Sequence, residues 1–106
     1  MAGRMGNGSG QVVIVTGGAQ GIGRGICEHL LGLGHRVVVA DIDAAAGQEC
    51  VDHWKARAEQ VRFIQTDVAD EASVRACVDR TVCVFQGIQA LVNNAGIADP
   101  GRTPVE

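Results

Sequence analysis

Apolar residues along this chain alternate between two textures. Val12, Val13, Ile14 and Val15 form an unbroken aliphatic run, too continuous for a half-exposed strand and suited to one buried on both faces. After a glycine-rich turn the apolar positions open to helical spacing. Ile22, Ile26 and Leu30 share one stripe, predicting a helix from about Gly21 to Leu31 that Gly32 and Gly34 close. The pattern then repeats. Arg36 to Ala40 reads as a second strand, and Asp43 is placed to cap a second helix over Ala44 to Ala58 with Val51, Trp54 and Ala58 inward. Val61 to Gln65 reads as a third strand. Asp70 is placed to cap a third helix, with Glu71 in its first turn and an apolar face of Val74, Cys77, Val78, Thr81, Val82 and Phe85. Gly87 ends that helix, and Ala90 to Asn93 is a fourth strand. This alternation predicts an α/β fold: a parallel sheet with right-handed crossovers, helices on both faces and strand order 3-2-1-4.

The polar and glycine positions gather where strands end. Gly17, Gly21 and Gly23 remove side chains where the first strand turns into the first helix. A helix opening there presents unpaired N–H groups and a positive dipole end, which suit a pyrophosphate. The turn is not a nucleotide-triphosphate loop, because no Gly-Lys-Ser/Thr follows and Lys55 is the chain's only lysine. Nor does it fit G-x-G-x-x-G. It reads T-G-x-x-x-G-x-G from Thr16 to Gly23.

That form resembles the first turn of the short-chain dehydrogenase/reductase family. Asp41 at the end of the second strand, Asp67-Val68 after the third and Asn93-Asn94-Ala95-Gly96 after the fourth extend the resemblance, in order, over nearly the whole chain from Gln11 onward. It implies a partial Rossmann fold and a nicotinamide dinucleotide as cofactor. The implied cofactor-binding residues are Thr16, Gly17, Gln20, Gly21, Ile22, Gly23, Asp41, Ile42, Asp67, Val68, Asn94, Ala95 and Gly96. In the family, Asp67 would contact the adenine amino group, Val68 would pack on the ring, and the small residues around Asn94 would let backbone approach the cofactor ribose. Asn93 is better suited to tying neighbouring strands. Asp41 is placed to accept hydrogen bonds from both adenosine ribose hydroxyls and to repel a 2′-phosphate. Relatives that use NADP carry Arg or Lys near Gln20 or Ile42, so the resemblance implies NAD over NADP.

Composition sets the boundaries. An apolar fraction of 46% in 106 residues fits one small globular domain. The first ten residues, rich in glycine and polar groups, read as a flexible lead-in without a signal-peptide core. A net charge of −3 with no basic run argues against nucleic acid or an anionic membrane as partner, and no stretch is long and apolar enough for a membrane span. Cys27, Cys50, Cys77 and Cys83 form no C-x-x-C pair and read as buried free thiols in helices, consistent with a cytoplasmic protein. Cys50 and His53 lie one helical turn apart, but two ligands make no metal site.

The family's chemistry needs a tyrosine with a lysine four residues later, helped by a serine. The chain contains no tyrosine, and its serines are Ser9 and Ser73. No catalytic residue is therefore assigned. The sequence reads as the amino-terminal part of an oxidoreductase, residues 11–106 carrying the adenosine and pyrophosphate half of the site and stopping before the catalytic segment. The resemblance implies hydride transfer with an alcohol or carbonyl substrate and a homo-oligomer for the full-length enzyme, with the isolated chain inactive. The alternative is a non-catalytic nucleotide-binding or regulatory module. A plain structural domain does not explain why the special residues gather at strand ends.

Overall fold

The computed structural model describes residues 10–94; the anticipated lead-in up to residue 9, and Ala95 and Gly96, lie outside them. Among the described residues four strands and three helices alternate. They are β1 (Val12–Thr16), α1 (Gly21–Gly32), β2 (Arg36–Asp41), α2 (Ala44–His53), β3 (Val61–Gln65), α3 (Glu71–Phe85) and β4 (Ala90–Asn93), with a 3-10 turn at Lys55–Arg57. The strands form one parallel sheet in the order β3-β2-β1-β4. This is the anticipated 3-2-1-4 order.

The continuous aliphatic runs are explained by what lies on either side. Alternate residues point to opposite faces of a strand. Val13, Val15, Val37 and Val39 meet Cys27 and Leu31 of α1, with Cys50 of α2 and Trp54 just beyond it, on one face. Val12, Ile14, Val38 and Ala40 meet Cys77 and Phe85 of α3 on the other. Every residue of β1 is buried, and each such Val or Ile side chain contributes about 1.5–3 kcal/mol through loss of contact with water.

Several local expectations are corrected. The face of α1 that meets the sheet is Gly23, Cys27 and Leu31, while Ile22 is 78% exposed and Ile26 and Leu30 only flank the contact. The small residues win because they let the helix backbone sit close to the strands. Helix α2 ends at His53 rather than Ala58. Trp54 adopts φ −99°, its buried ring anchors the chain, and the backbone tightens into the 3-10 turn, with Arg57 N–H donating to Trp54 O at 2.7 Å. Ala58 is consequently exposed and Val51 only half-buried; Gly47 and Cys50 form the inner face.

On α3, Cys77, Thr81 and Phe85 are buried, but Val78 and Val82 are exposed, as is the thiol-bearing Cys83. The helix meets the sheet along a narrower stripe than its apolar residues cover. The helix ends at Phe85, before the Gly87 expected to stop it, with Gln86 at φ 68° as its left-handed C-cap. At the amino end of the sheet, Arg36 and Arg62 hold their guanidinium groups 5.8 and 5.6 Å from the centre of the Phe85 ring. Among the described residues β4 pairs with β1 alone, and Leu91 is 57% exposed.

Candidate functional site

Parallel pairing brings the carboxyl ends of all four strands to one edge of the sheet. The turn after β1 begins with Gly17 at φ 66°, a left-handed conformation that favours glycine. Its N–H donates to Ala40 O at 2.7 Å, which ties the turn to β2. Gly23, in the first turn of α1, packs so closely that a Cβ there would overlap the Gly17 carbonyl. Gly21, at φ 57°, faces open space. The N-cap residue of α1, Gln20, makes no side-chain capping bond, and no acidic residue occupies the helix's first turn. The N–H groups of that turn and the positive end of the dipole are thus left for an external anion.

Beside this turn lies a hollow of about 190 Å³ lined by Gly17, Ala40, Asp41, Ile42, Thr66, Asp67 and Val68. The carboxylate of Asp41 is held from both sides. Ala19 N–H donates to Oδ2 at 3.1 Å and Asp43 N–H to Oδ1 at 3.0 Å. Ile42 stands 61% exposed and Val68 40% exposed, presenting apolar surface at the rim. Asp67 has local work: Oδ1 accepts from Ala69 N–H at 3.0 Å, while its own N–H donates to Ser73 Oγ at 2.8 Å. Thr16, buried, donates through Oγ1 toward Val92 O and Asn93 Oδ1, each at 3.2 Å. Asn93 thereby joins β4 to β1, the tying role anticipated for it. Asn94 Nδ2 donates to Gly17 O at 3.3 Å.

Of the residues singled out from the sequence, Gly17, Asp41, Ile42, Asp67 and Val68 share the hollow, and Thr16, Gln20, Gly21, Gly23 and Asn94 build the adjoining turn. Ile22 does not line the hollow and stands in solvent. Four contributors were not singled out. Ala19, fully buried, orients Asp41; Asp43, read only as a cap, also holds Gln20 Nε2 at 3.1 Å; and two cysteines grip the turn from below. Cys27 Sγ donates to Gly18 O at 3.7 Å and Cys50 Sγ to Ala19 O at 3.1 Å. Burial pushes the Cys27 thiol up to about 12, with a smaller contribution from Cys50, whose own thiol burial also raises. The spacing of Asp41 and Asp43 was the available signal for a shared role; nothing in the sequence pointed to the sulfur contacts.

Helices α1 and α2 are clamped above the turn. Arg24 meets Glu49 through two bonds of 2.6 and 3.3 Å and lies 5.8 Å from the centre of the Trp54 ring. The hydrogen bond from Arg24 holds the Glu49 carboxyl below its ordinary range. Among the described residues no three His, Cys, Asp or Glu side chains are arranged to hold a metal, and no helix is long and apolar enough to cross a membrane.

This architecture is shared with known proteins. The sequence profile of the short chain dehydrogenase family matches residues 11–105, so the chain belongs to that family. An uncharacterized oxidoreductase of Thermotoga maritima is 46% identical over 88 residues, which cover 83% of this chain and 34% of the relative. The 2-(R)-hydroxypropyl-CoM dehydrogenase of Xanthobacter autotrophicus is 40% identical over 103 residues, covering 91% and 41%. The crystal structure of a Burkholderia phymatum short chain dehydrogenase/reductase in complex with NAD superposes with a TM-score of 0.74 at 34% identity, covering 77% of this chain and 29% of that one. The chain thus spans roughly a third of the length of the proteins it matches.

Proposed function

We propose that this chain binds the adenosine and pyrophosphate portion of a nicotinamide dinucleotide, NAD in preference to NADP, for an oxidoreductase acting on an alcohol or carbonyl compound. The observation that carries the reading is the doubly held Asp41 carboxylate. With one lone pair of each oxygen engaged by backbone N–H groups, the carboxylate is held in place at the wall of the hollow and keeps acceptor capacity on both oxygens for a ribose diol. No Arg or Lys stands at positions 20 or 42 to balance a 2′-phosphate.

The residues fit such a ligand. The bare face of Gly21 and the uncapped start of α1 leave room and donors for a pyrophosphate. A hollow of about 190 Å³ is smaller than the roughly 300–1,000 Å³ of a complete small-molecule site, as suits one portion of a long cofactor. Asp67 and Val68 at its wall serve the adenine, and Asn94, with Ala95 and Gly96, the ribose side. Ile22 projects from the first helical turn where the remainder of the ligand would pass. When bound, the nicotinamide supplies the hydride chemistry; the part of this chain is to bind and orient. Free cysteines and the absence of any tyrosine fit a cytosolic cofactor-binding segment without its proton donor.

Calorimetric titration of the 106-residue chain with NAD and NADP tests the reading. NAD should bind more tightly, and Asp41→Ala combined with Ile42→Arg should invert the order. Tighter binding of NADP by the unaltered chain overturns it.

A further inference from the structure

One contact next to the hollow-lining Asp41 and Ile42 is not required by helix capping. Asp43 begins α2 by accepting from Ala46 N–H at Oδ1, 3.0 Å, which is the usual N-cap bond. Its second oxygen, Oδ2, accepts from Gln20 Nε2 at 3.1 Å, and its N–H donates to Asp41 Oδ1 at 3.0 Å. The side chain at position 20 is thereby drawn across from the glycine turn to the start of α2. Gln20 spends its amide on this bridge and leaves the N-terminus of α1 without a side-chain cap.

We propose that Asp43 is a positioning residue that sets dinucleotide preference together with Asp41, by capturing whatever side chain stands at position 20. This deepens the cofactor reading above and rests on it. The uncharged Gln20 satisfies Asp43 with one hydrogen bond and adds nothing against the carboxylate's field. A guanidinium at position 20 would meet Asp43 first, in a charge-assisted pair. It would then be unavailable to a 2′-phosphate, and its charge would be cancelled locally. The chain therefore carries two acidic barriers to NADP. Asp41 faces the ribose directly, and Asp43 disarms the neighbouring position from which a basic residue would otherwise compensate. Converting the preference through position 20 alone should fail while Asp43 keeps its charge.

The test is a double-mutant cycle on the 106-residue chain with Gln20→Arg and Asp43→Asn, reading dissociation constants for NAD and NADP by calorimetry at low and moderate salt. Asn is as good an N-cap as Asp, so Asp43→Asn removes the charge and keeps the helix start; Asp43→Ser serves if that variant unfolds. Gln20→Arg alone should move the NAD-to-NADP ratio by less than about threefold. Together with Asp43→Asn it should move the ratio toward NADP by more than about tenfold, well beyond the product of the single effects and more strongly at low salt. A purely structural role for Asp43 would weaken both dinucleotides equally and leave the ratio unchanged. Gln20→Arg alone shifting the ratio as far as the double variant overturns the proposal while leaving the cofactor site intact. If the unaltered chain binds neither dinucleotide, the site reading falls, and this proposal with it.

Discussion

Asn94 and Gly17 are 77 residues apart in the chain, yet the amide of one donates to the carbonyl of the other at 3.3 Å. The same carbonyl is the atom that a Cβ on Gly23 would strike, and that Cβ would also lie 2.8 Å from Asn94 Nδ2. The end of β4, the turn after β1 and the first turn of α1 therefore converge on one backbone oxygen.

Two glycine substitutions should separate by mechanism. Gly23→Ala forces the joint apart and should cost about 1–3 kcal/mol as an overpacked site, with loss of dinucleotide binding. Gly21→Ala meets open space and is opposed only by its φ of 57°, a left-handed conformation costing roughly 1–2 kcal/mol. Urea denaturation of both variants, paired with NAD titration, checks this. Gly23→Ala with unaltered stability and affinity would show that the turn can yield.

Gly47 makes a related point inside α2. Alanine normally stabilises a helix interior by roughly 0.5–1 kcal/mol over glycine. Here a Cβ would run into the Phe63 ring, so Gly47→Ala should destabilise instead, by about 1–3 kcal/mol. The paired variant Gly47→Ala, Phe63→Leu should recover part of the loss, as thermal unfolding would reveal.

The cysteines should divide by burial. At pH 8 a thiol reagent should modify Cys83 quickly, while the buried Cys27, Cys50 and Cys77 react only as the chain opens. Peptide mapping after a brief pulse decides it, and rapid labelling of Cys27 would contradict the packing. The raised Cys27 value also has a consequence at alkaline pH. Its folded value, about 12, lies above the ordinary 9.0, so its contribution to stability is complete below about pH 9 and disappears as pH rises toward 12. Cys27→Ala should flatten the decline in stability over that interval.

Strand β4 should make the isolated chain self-associate. It is an edge among the described residues, pairing only with β1, and its exposed Leu91 offers an apolar contact. Leu91→Lys should shift light-scattering profiles toward monomer. A wild-type monomer with a cooperative transition above about 5 kcal/mol would show that this sheet closes its own core.

Catalysis should be absent from the 106-residue protein, because no tyrosine is present to exchange a proton with substrate. A panel of secondary alcohols with NAD, monitored for reduced nicotinamide in protein purified from a host lacking related enzymes, should stay at background. Turnover above it would identify another proton carrier.

What could be read from the sequence follows from what each residue requires of its neighbours. The aliphatic run predicted β1 because a strand of a parallel sheet covered on both faces tolerates no polar alternation, and the strand order followed from the alternation of strands and helices in a doubly wound fold. Gly17 and Asp41 were legible because a turn and a strand end demand those residue types. The stripe of α1 was misread because hydropathy weights Ile22 above Gly23 and Cys27, whereas close approach rewards small size. The end of α2 depends on where Trp54 finds its pocket, which is a property of α1 and the sheet rather than of the segment itself. Asp43 was legible as a cap but not as the holder of Gln20, since that partner comes from another loop.

The sulfur contacts beneath the glycine turn govern which way its peptide planes face. No cis peptide is present among the described residues, and in a trans peptide the N–H points opposite to the C=O. With the Ala19 carbonyl directed down onto Cys50 Sγ, the N–H that Gln20 contributes to the same plane is turned outward, away from the core. A thiol is a weak donor, so this orientation is held with some give. A hydroxyl at position 50 would grip the plane harder, and a methyl would leave the carbonyl unpaired and free to rotate. The sulfur atom, itself out of reach of any ligand, thus fixes the aim of a backbone donor on the opposite side of the chain.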